Sequence, residues 1–379
     1  MSKAMAQAAI DQDAHTDRAL DGVLPSLRCP VSGQPLRREG STLVSLDGRH
    51  RYTIADPGIP LFAVRPHLQA SRIQQAHYDP IAPEYVRNLV LPHTRIYAAY
   101  LDEVLLDAIG ADPPGFVGEL CCGRGEAFHL LRTLAAGVPA GGIGLDISQA
   151  MLKAASGEFL SEEFFFIQAD ATMLPLADEV FDTVFMLGGI HHVNDRDRLF
   201  AEIYRVLKPG GRFYFREPVN DCFLWRWLRS VVYRLSPTLD AETERPLRHH
   251  QTTAQLTRAG LEVIHWRTCG FLAYCIVMNS DVLLVNRLLR LLPGIRRITR
   301  AAARIDDWAV GLPFLRNAGL QVVGVARKPP ATSSESPRIR SSRNRSIRPP
   351  IPAGVQRPHF GDASELEQPE ISATGPSGA

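Results

Sequence analysis

Four short segments place acidic, glycine and histidine residues where a nucleotide-like ligand could be held. The first, Glu119-Leu120-Cys121-Cys122-Gly123-Arg124-Gly125, follows an apolar run and precedes a helical pattern. A glycine-rich turn there lets a ligand approach the backbone where the first helix amides point outward. Gly-x-Gly also occurs in many turns that bind nothing. The second segment is Asp146, 21 residues beyond Gly125 at the end of the next apolar run. A carboxylate at that place can accept from both hydroxyls of a ribose, or it can cap the helix that begins near Ser148. The third is Asp170-Ala171, whose carboxylate can accept from the exocyclic amine of adenine. The fourth is Leu187-Gly188-Gly189-Ile190-His191-His192. Here either imidazole could act as a general base or merely shape a site. A second histidine pair, His249-His250, reads as a solvated loop.

The elements that must carry these segments follow from hydrophobic patterning. Apolar runs at Phe116–Leu120, Ile143–Leu145, Phe164–Ile167, Val180–Leu187 and Arg212–Phe215 read as strands, separated by helical stretches such as Leu199–Leu207. Strand–helix alternation predicts a parallel sheet with right-handed crossovers, a doubly wound α/β fold. Two further strands, Leu261–Trp266 and Leu320–Ala326, should complete it. Such folds bind ligands outside the carboxyl ends of the strands, where all four segments fall.

Composition sets wider bounds. A 379-residue chain with 45% hydrophobic and 22% charged residues can bury a sizeable core, and its net charge of +2 does not advertise a nucleic-acid partner. The six cysteines are sparse and unpatterned, which argues against a disulfide framework. No secretory signal is visible, and the apolar stretches at Phe271–Met278 and Leu283–Leu292 are too short or too interrupted to span a bilayer. A cytoplasmic setting is therefore expected. Residues 1–21 read as a loose leader, 22–64 as a small β module, 65–111 as a helical lid region and 112–328 as the main domain. Helical insertions are expected at about 219–252 and 271–318. Nine of the 28 prolines fall in the last 51 residues, so 329–379 reads as a disordered tail.

The series ELCCGRGE, GLDISQAML, QADATMLPLADEVFDTVF, GGIHHV and EIYRVLKPGGRF resembles the class I S-adenosylmethionine (SAM)-dependent methyltransferases, above all the subgroup containing the ubiquinone/menaquinone-type enzymes. The resemblance is strong from Val117 to Pro218 and extends to Lys328 in layout. A nicotinamide-binding fold would not carry the VLKPGG turn after the fourth strand. The resemblance implies a seven-stranded Rossmann-like sheet and SAM as cofactor. By it, Glu119, Gly123 and Gly125 line the amino-acid and ribose parts of SAM, Asp146 holds the ribose, and Ile147 and Met151 lie by the adenosine. Asp170 and Ala171 meet the adenine edge, and Leu187-Gly188 sit near the methyl donor. Cys121 stands where the family usually has glycine. The segment His77–Tyr85 looks like the subgroup's lid, with Tyr78 or Tyr85 closing over the sulfonium.

Leu27–Phe62 resembles small zinc-ribbon-like modules, but Ser32 stands where a second cysteine should follow Cys29, and no metal site is expected. Cys222–Arg304 holds 13 arginines, no lysine and five acidic residues. Its apolar stripes, such as Leu224, Trp227, Leu228, Val231 and Leu235, carry arginine edges. That pattern suits a helical cap over the site, a lipid-like substrate or an anionic membrane surface. The reading is an enzyme that methylates a small or lipid-like acceptor, with His191 or His192 as candidate base. The alternatives are an RNA base methyltransferase and a non-catalytic partner protein of the same fold.

Overall fold

The computed structural model describes residues 17–63, 91–133, 139–159, 164–227, 230, 245–278 and 284–331. The expected lid residues Tyr78 and Tyr85, the stripe residues Leu228, Val231 and Leu235, and the tail from 332 onward lie outside them.

The described residues begin with a helical stretch at 17–23, whose first five residues fall in the expected loose leader, and it buries Leu20 in the core. A four-stranded antiparallel meander follows: β1 (Leu36–Glu39), β2 (Thr42–Ser45), β3 (Arg51–Ala55) and β4 (Ile59–Pro60). Then come α1 (Pro92–Ile109), β5 (Phe116–Leu120), α2 (Glu126–Leu131), β6 (Gly141–Asp146), α3 (Gln149–Glu158), β7 (Phe164–Gln168) and β8 (Phe181–Leu187). After a 3-10 turn at Ile190–His192 the chain forms α4 (Arg196–Val206), β9 (Leu207–Pro218), α5 (His249–Arg258), β10 (Glu262–Cys269) and α6 (Leu272–Val277). A second 3-10 segment (Leu284–Leu291), α7 (Ile295–Gly311) and β11 (Gln321–Arg327) complete it.

The seven-stranded sheet has the order β10-β11-β9-β8-β5-β6-β7. Pairings from β9 through β7 are parallel, while β11 enters antiparallel between β9 and β10. The expected parallel sheet is thus mixed at one end. A parallel β11 would need a crossover over the sheet face; instead α7 leads into β11 from the opposite end of the strands. Sequence order reverses between β5 and β8, and this is the switch point of the fold.

Side chains alternate between two buried layers, as strand periodicity requires. On β7, Phe165 and Ile167 join one layer with Leu199, Phe200 and Ile203 of α4 and Leu256 of α5; Phe164 and Phe166 join the other with Leu101 and Leu105 of α1 and Phe128 of α2. The front segment shares the first layer through Leu27, Leu36 and Leu43. It also covers the edge of β7. Leu61 bridges Gln168, Phe62 N donates to Gln168 O at 2.9 Å, and the Gln168 side chain exchanges two hydrogen bonds of 3.2 Å with the Ala63 backbone. Covering an edge strand prevents unwanted pairing, so the observed role of these residues is packing. Cys29 lies buried, its sulfur 3.1 Å from the Tyr52 hydroxyl.

The helices of the other layer are joined by Asp306 on α7, which is 2% exposed. Its carboxylate accepts from Tyr97 Oη of α1 at 2.6 Å and from the amides of Phe271, Ala273 and Tyr274 at 2.8, 3.1 and 2.9 Å. One acid thus fixes three helices. Among the described residues, no helix is long and apolar enough to cross a membrane.

Candidate functional site

The site forms around the ends of β5, β6, β7 and β8. Leaving β5, the chain turns through Cys121, Gly123 and Gly125, with φ of 51°, 52° and 84°. Left-handed backbone is costly for a residue with a Cβ, which is why glycine suits position 121. The cysteine fits because Gly189 lies opposite it: a Cβ added there would stand 2.6 Å from Cys121 Cβ. Cys121 therefore fills the crevice between the first strand and the β8 turn. Burial, and then the charges of Asp146, Glu217 and Asp170, push its thiol well above the ordinary range. It stays protonated and unreactive.

Glu119 is buried and holds the start of α2, accepting from Ala127 N at 2.8 Å and Phe128 N at 3.3 Å. Both oxygens face helix amides, so Glu119 positions the glycine turn. Asp146 performs a related task at the end of β6. Its Oδ2 accepts from Gly123 N at 2.9 Å and its Oδ1 from Ser148 N at 2.8 Å. The cap of α3 is Ser148, whose Oγ accepts from Met151 N at 3.3 Å, so the alternative of Asp146 as helix cap gives way to Asp146 as clasp of the turn. Ile147 is half-buried and accepts through its carbonyl from Gln168 Nε2 at 3.1 Å. Met151 is buried in the first turn of α3, and its amide donates to the Ser148 cap. At the end of β7, Asp170 Oδ1 accepts from Thr172 N at 2.9 Å and Thr172 Oγ1 at 2.7 Å, with half-buried Ala171 between them.

Beyond β8, Leu187 is half-buried and Gly188 is exposed with φ 77°. A Cβ added at Gly123 or Gly188 would meet nothing within 4 Å. Neither glycine is demanded by protein packing, and the open space lies on both sides of the switch point. Ligand atoms could fill it.

His191 and His192 occupy the 3-10 turn after β8, their ring centroids 3.8 Å apart. Sequence reading missed their partner. Glu217, fully buried near the end of β9, accepts from Gly189 N and Ile190 N at 2.7 and 2.8 Å, and from His191 N at 3.3 Å. Its Oε2 lies 2.8 Å from His191 Nδ1. Burial pushes the Glu217 carboxyl up to about 7, against the lowering effect of the three amides and of His192. When Glu217 is ionised the ring must donate from Nδ1, which leaves Nε2 with its lone pair. This arrangement can orient a base and take up a proton near neutral pH. A charged residue in the apolar run FYFREP was the available signal.

The insertion after β9 returns to this edge. Arg245 N donates to His191 O at 2.9 Å, and Leu247 N donates to Pro218 O at 2.8 Å. His249 and His250 lie at the start of α5, not in a loop, and His249 N donates to Asp221 Oδ1 at 3.0 Å. Both residues are exposed, and the His249 ring lies 4.9 Å from Trp266. Among the described residues, no group of three or more potential ligands could hold a metal ion.

Comparison with known proteins points to methyl transfer. A family described as a methyltransferase domain matches residues 119–215. The demethylmenaquinone methyltransferase of Lactiplantibacillus plantarum is 30% identical over 220 residues, covering 52% of this chain and 91% of that protein. The demethylmenaquinone methyltransferase of Renibacterium salmoninarum is 35% identical over 151 residues, 39% of this chain and 60% of that protein. The ubiquinone/menaquinone biosynthesis C-methyltransferase of Acidiphilium cryptum is 45% identical over 159 residues, 36% of this chain and 63% of that protein. The chain thus spans somewhat under two thirds of the last two relatives and nearly all of the first.

Proposed function

The chain belongs to the class I S-adenosylmethionine-dependent methyltransferases, and from that premise we propose that it methylates a hydroxylated, lipid-like acceptor of the quinol kind. When bound, SAM supplies an electrophilic methyl group on a positively charged sulfur. In this reading Asp146 holds the ribose, Asp170 and Ala171 meet the adenine edge, Gly123 and Gly188 leave backbone room, and Gly125 and Leu187 complete the two turns. The charges of Asp146, Asp170 and Glu217 all reach Cys121 at the switch point. An anionic crevice of this kind favours a cationic ligand.

The observation that carries the acceptor chemistry is the Glu217–His191 contact of 2.8 Å beside Gly188. Methyl transfer is an in-line displacement, so most of the work is positioning. A base is needed only where the nucleophile carries a proton that must leave. His191 Nε2 would take the proton of the acceptor hydroxyl and Glu217 would hold the ring in the required tautomer; the electron pair so released forms the bond to the methyl carbon as the sulfur–methyl bond breaks, the sulfur leaving as a neutral thioether. Relatives named for quinone methylation support the same acceptor class. The non-catalytic alternative rested on Cys121, and the gap at Gly189 accommodates that side chain.

The test supplies methyl-labelled SAM with a demethylated naphthoquinone in its reduced and oxidised forms. Label should enter the hydroquinone alone. Label in neither form would reject this acceptor class, and equal label in both would remove the need for a base.

A further inference from the structure

We propose that the outer face of α7, with the elements beside it, docks onto an anionic lipid surface. At 100° per residue, α7 buries one arc through Ile295, Thr299, Ala303, Asp306 and Val310. An ordinary surface helix would turn polar beyond that arc. Here a second apolar arc follows, formed by Ile298, Ile305 and Trp308, which are 54%, 63% and 67% exposed. Arg297 and Arg304 come next around the helix, both exposed, and Arg296 and Arg300 lie beyond them. An apolar face wider than the core contact and edged with arginine, with tryptophan in the apolar part, suits the boundary between headgroups and acyl chains.

Neighbouring elements extend the surface. The preceding 3-10 segment leaves Leu288 and Leu291 exposed, α6 leaves Leu272 and Ile276, and Phe314 follows α7. Residues 223–227 join them: the Trp225 ring lies 5.6 Å from Phe271, and its Nε1 donates to Ala318 O at 2.7 Å. Phe223 and Trp227 on the same stretch are exposed.

Charge identifies the occupant. Residues 284–318 contain seven arginines, no lysine and only two acids, Asp306 and Asp307. Asp306 is buried among α1 and α6, and Asp307 Oδ1 accepts from Arg267 at 2.7 Å and Tyr100 Oη at 2.9 Å. Near Arg300 and Arg304, Glu103 of α1 supplies some opposite charge, while Arg296 and Arg297 lie on the exposed side. A two-fold contact with α7 antiparallel to its copy would set arginine edge against arginine edge. Anionic phospholipid meets both the apolar arc and the arginines.

The test is flotation of the full chain with vesicles of phosphatidylglycerol and phosphatidylcholine in equal parts, without SAM or acceptor. Because neither is present, failure here is distinct from failure of the proposed activity. Binding should weaken with rising salt and be slight on pure phosphatidylcholine. Trp308→Ser with Ile305→Ser should lower partitioning at least about tenfold. Arg296→Gln with Arg297→Gln should lower it about fivefold for each arginine removed, with the melting temperature unchanged. Absence of flotation, or flotation indifferent to both pairs of substitutions, would overturn the proposal. So would a concentration-dependent dimer abolished by Ile305→Ser, which would assign the face to a second copy.

Discussion

Replacing Glu217 with Gln should change both the pH dependence of stability and the rate of methyl transfer. Burial raises the Glu217 carboxyl from the ordinary 4.5 to about 7. A shift of that size corresponds to roughly 3 kcal/mol between protonation states. Because the folded-state value is raised, this contribution is fully present below about pH 4.5. It is lost as pH rises through about 7, where the carboxylate must ionise without water around it. Glutamine cannot titrate. The stability difference between wild type and Glu217→Gln, from urea melts at half-unit steps between pH 4.5 and 8, should therefore fall by about 3 kcal/mol across the window. Taking differences cancels the groups remote from Glu217 and leaves the coupled Glu217–His191 pair. In parallel, kcat at pH 8 should drop about 100-fold, with KM for SAM little changed, as expected when a base loses the group that orients it. The inflection near neutral pH in the wild-type rate profile should vanish with it. It belongs to the Glu217–His191 pair and not to one residue. A flat stability difference together with an unchanged rate profile would show that Glu217 is neither strained by its burial nor coupled to the chemistry.

Three further expectations concern the framework. Gly189→Ala places a Cβ 2.6 Å from Cys121 Cβ and should cost about 1–3 kcal/mol in denaturant melts. Combining it with Cys121→Gly should recover at least about 1 kcal/mol, and strict additivity would refute the direct contact. Cys121→Gly alone should be nearly neutral, since relief of the φ of 51° is offset by the greater freedom of glycine in the unfolded chain. Asp306→Ala strands the Tyr97 hydroxyl and the amides of Phe271, Ala273 and Tyr274. It should cost about 3 kcal/mol or more by calorimetry; a loss under 1 kcal/mol would deny it the role of helix clasp.

Much of the sheet was legible because its strands are buried on both faces and read as unbroken apolar runs, as in Phe164–Gln168. The direction of β11 was not, since hydrophobic pattern carries no orientation and β11 pairs antiparallel on both sides. The glycine turn and the acids at the ends of β6 and β7 were visible as residue types, but not what their oxygens face. Glu119 looks inward to α2, and only its hydrogen bonds to Ala127 and Phe128 reveal this. Glu217 escaped notice because a charged residue near the end of a strand ordinarily faces water. Here the turn Gly189–His191 folds its amides back over the carboxylate.

The most direct test of the central claim, that the crevice at the β5–β8 switch point binds SAM, is calorimetric titration of wild type and Asp146→Ala. SAM and S-adenosylhomocysteine should both bind wild type near micromolar. Loss of the clasp on Gly123 and Ser148, together with the ribose contact, should weaken both by about 100-fold or more while the melting transition persists. Equal affinity in the two proteins, or no binding to wild type, would contradict the account.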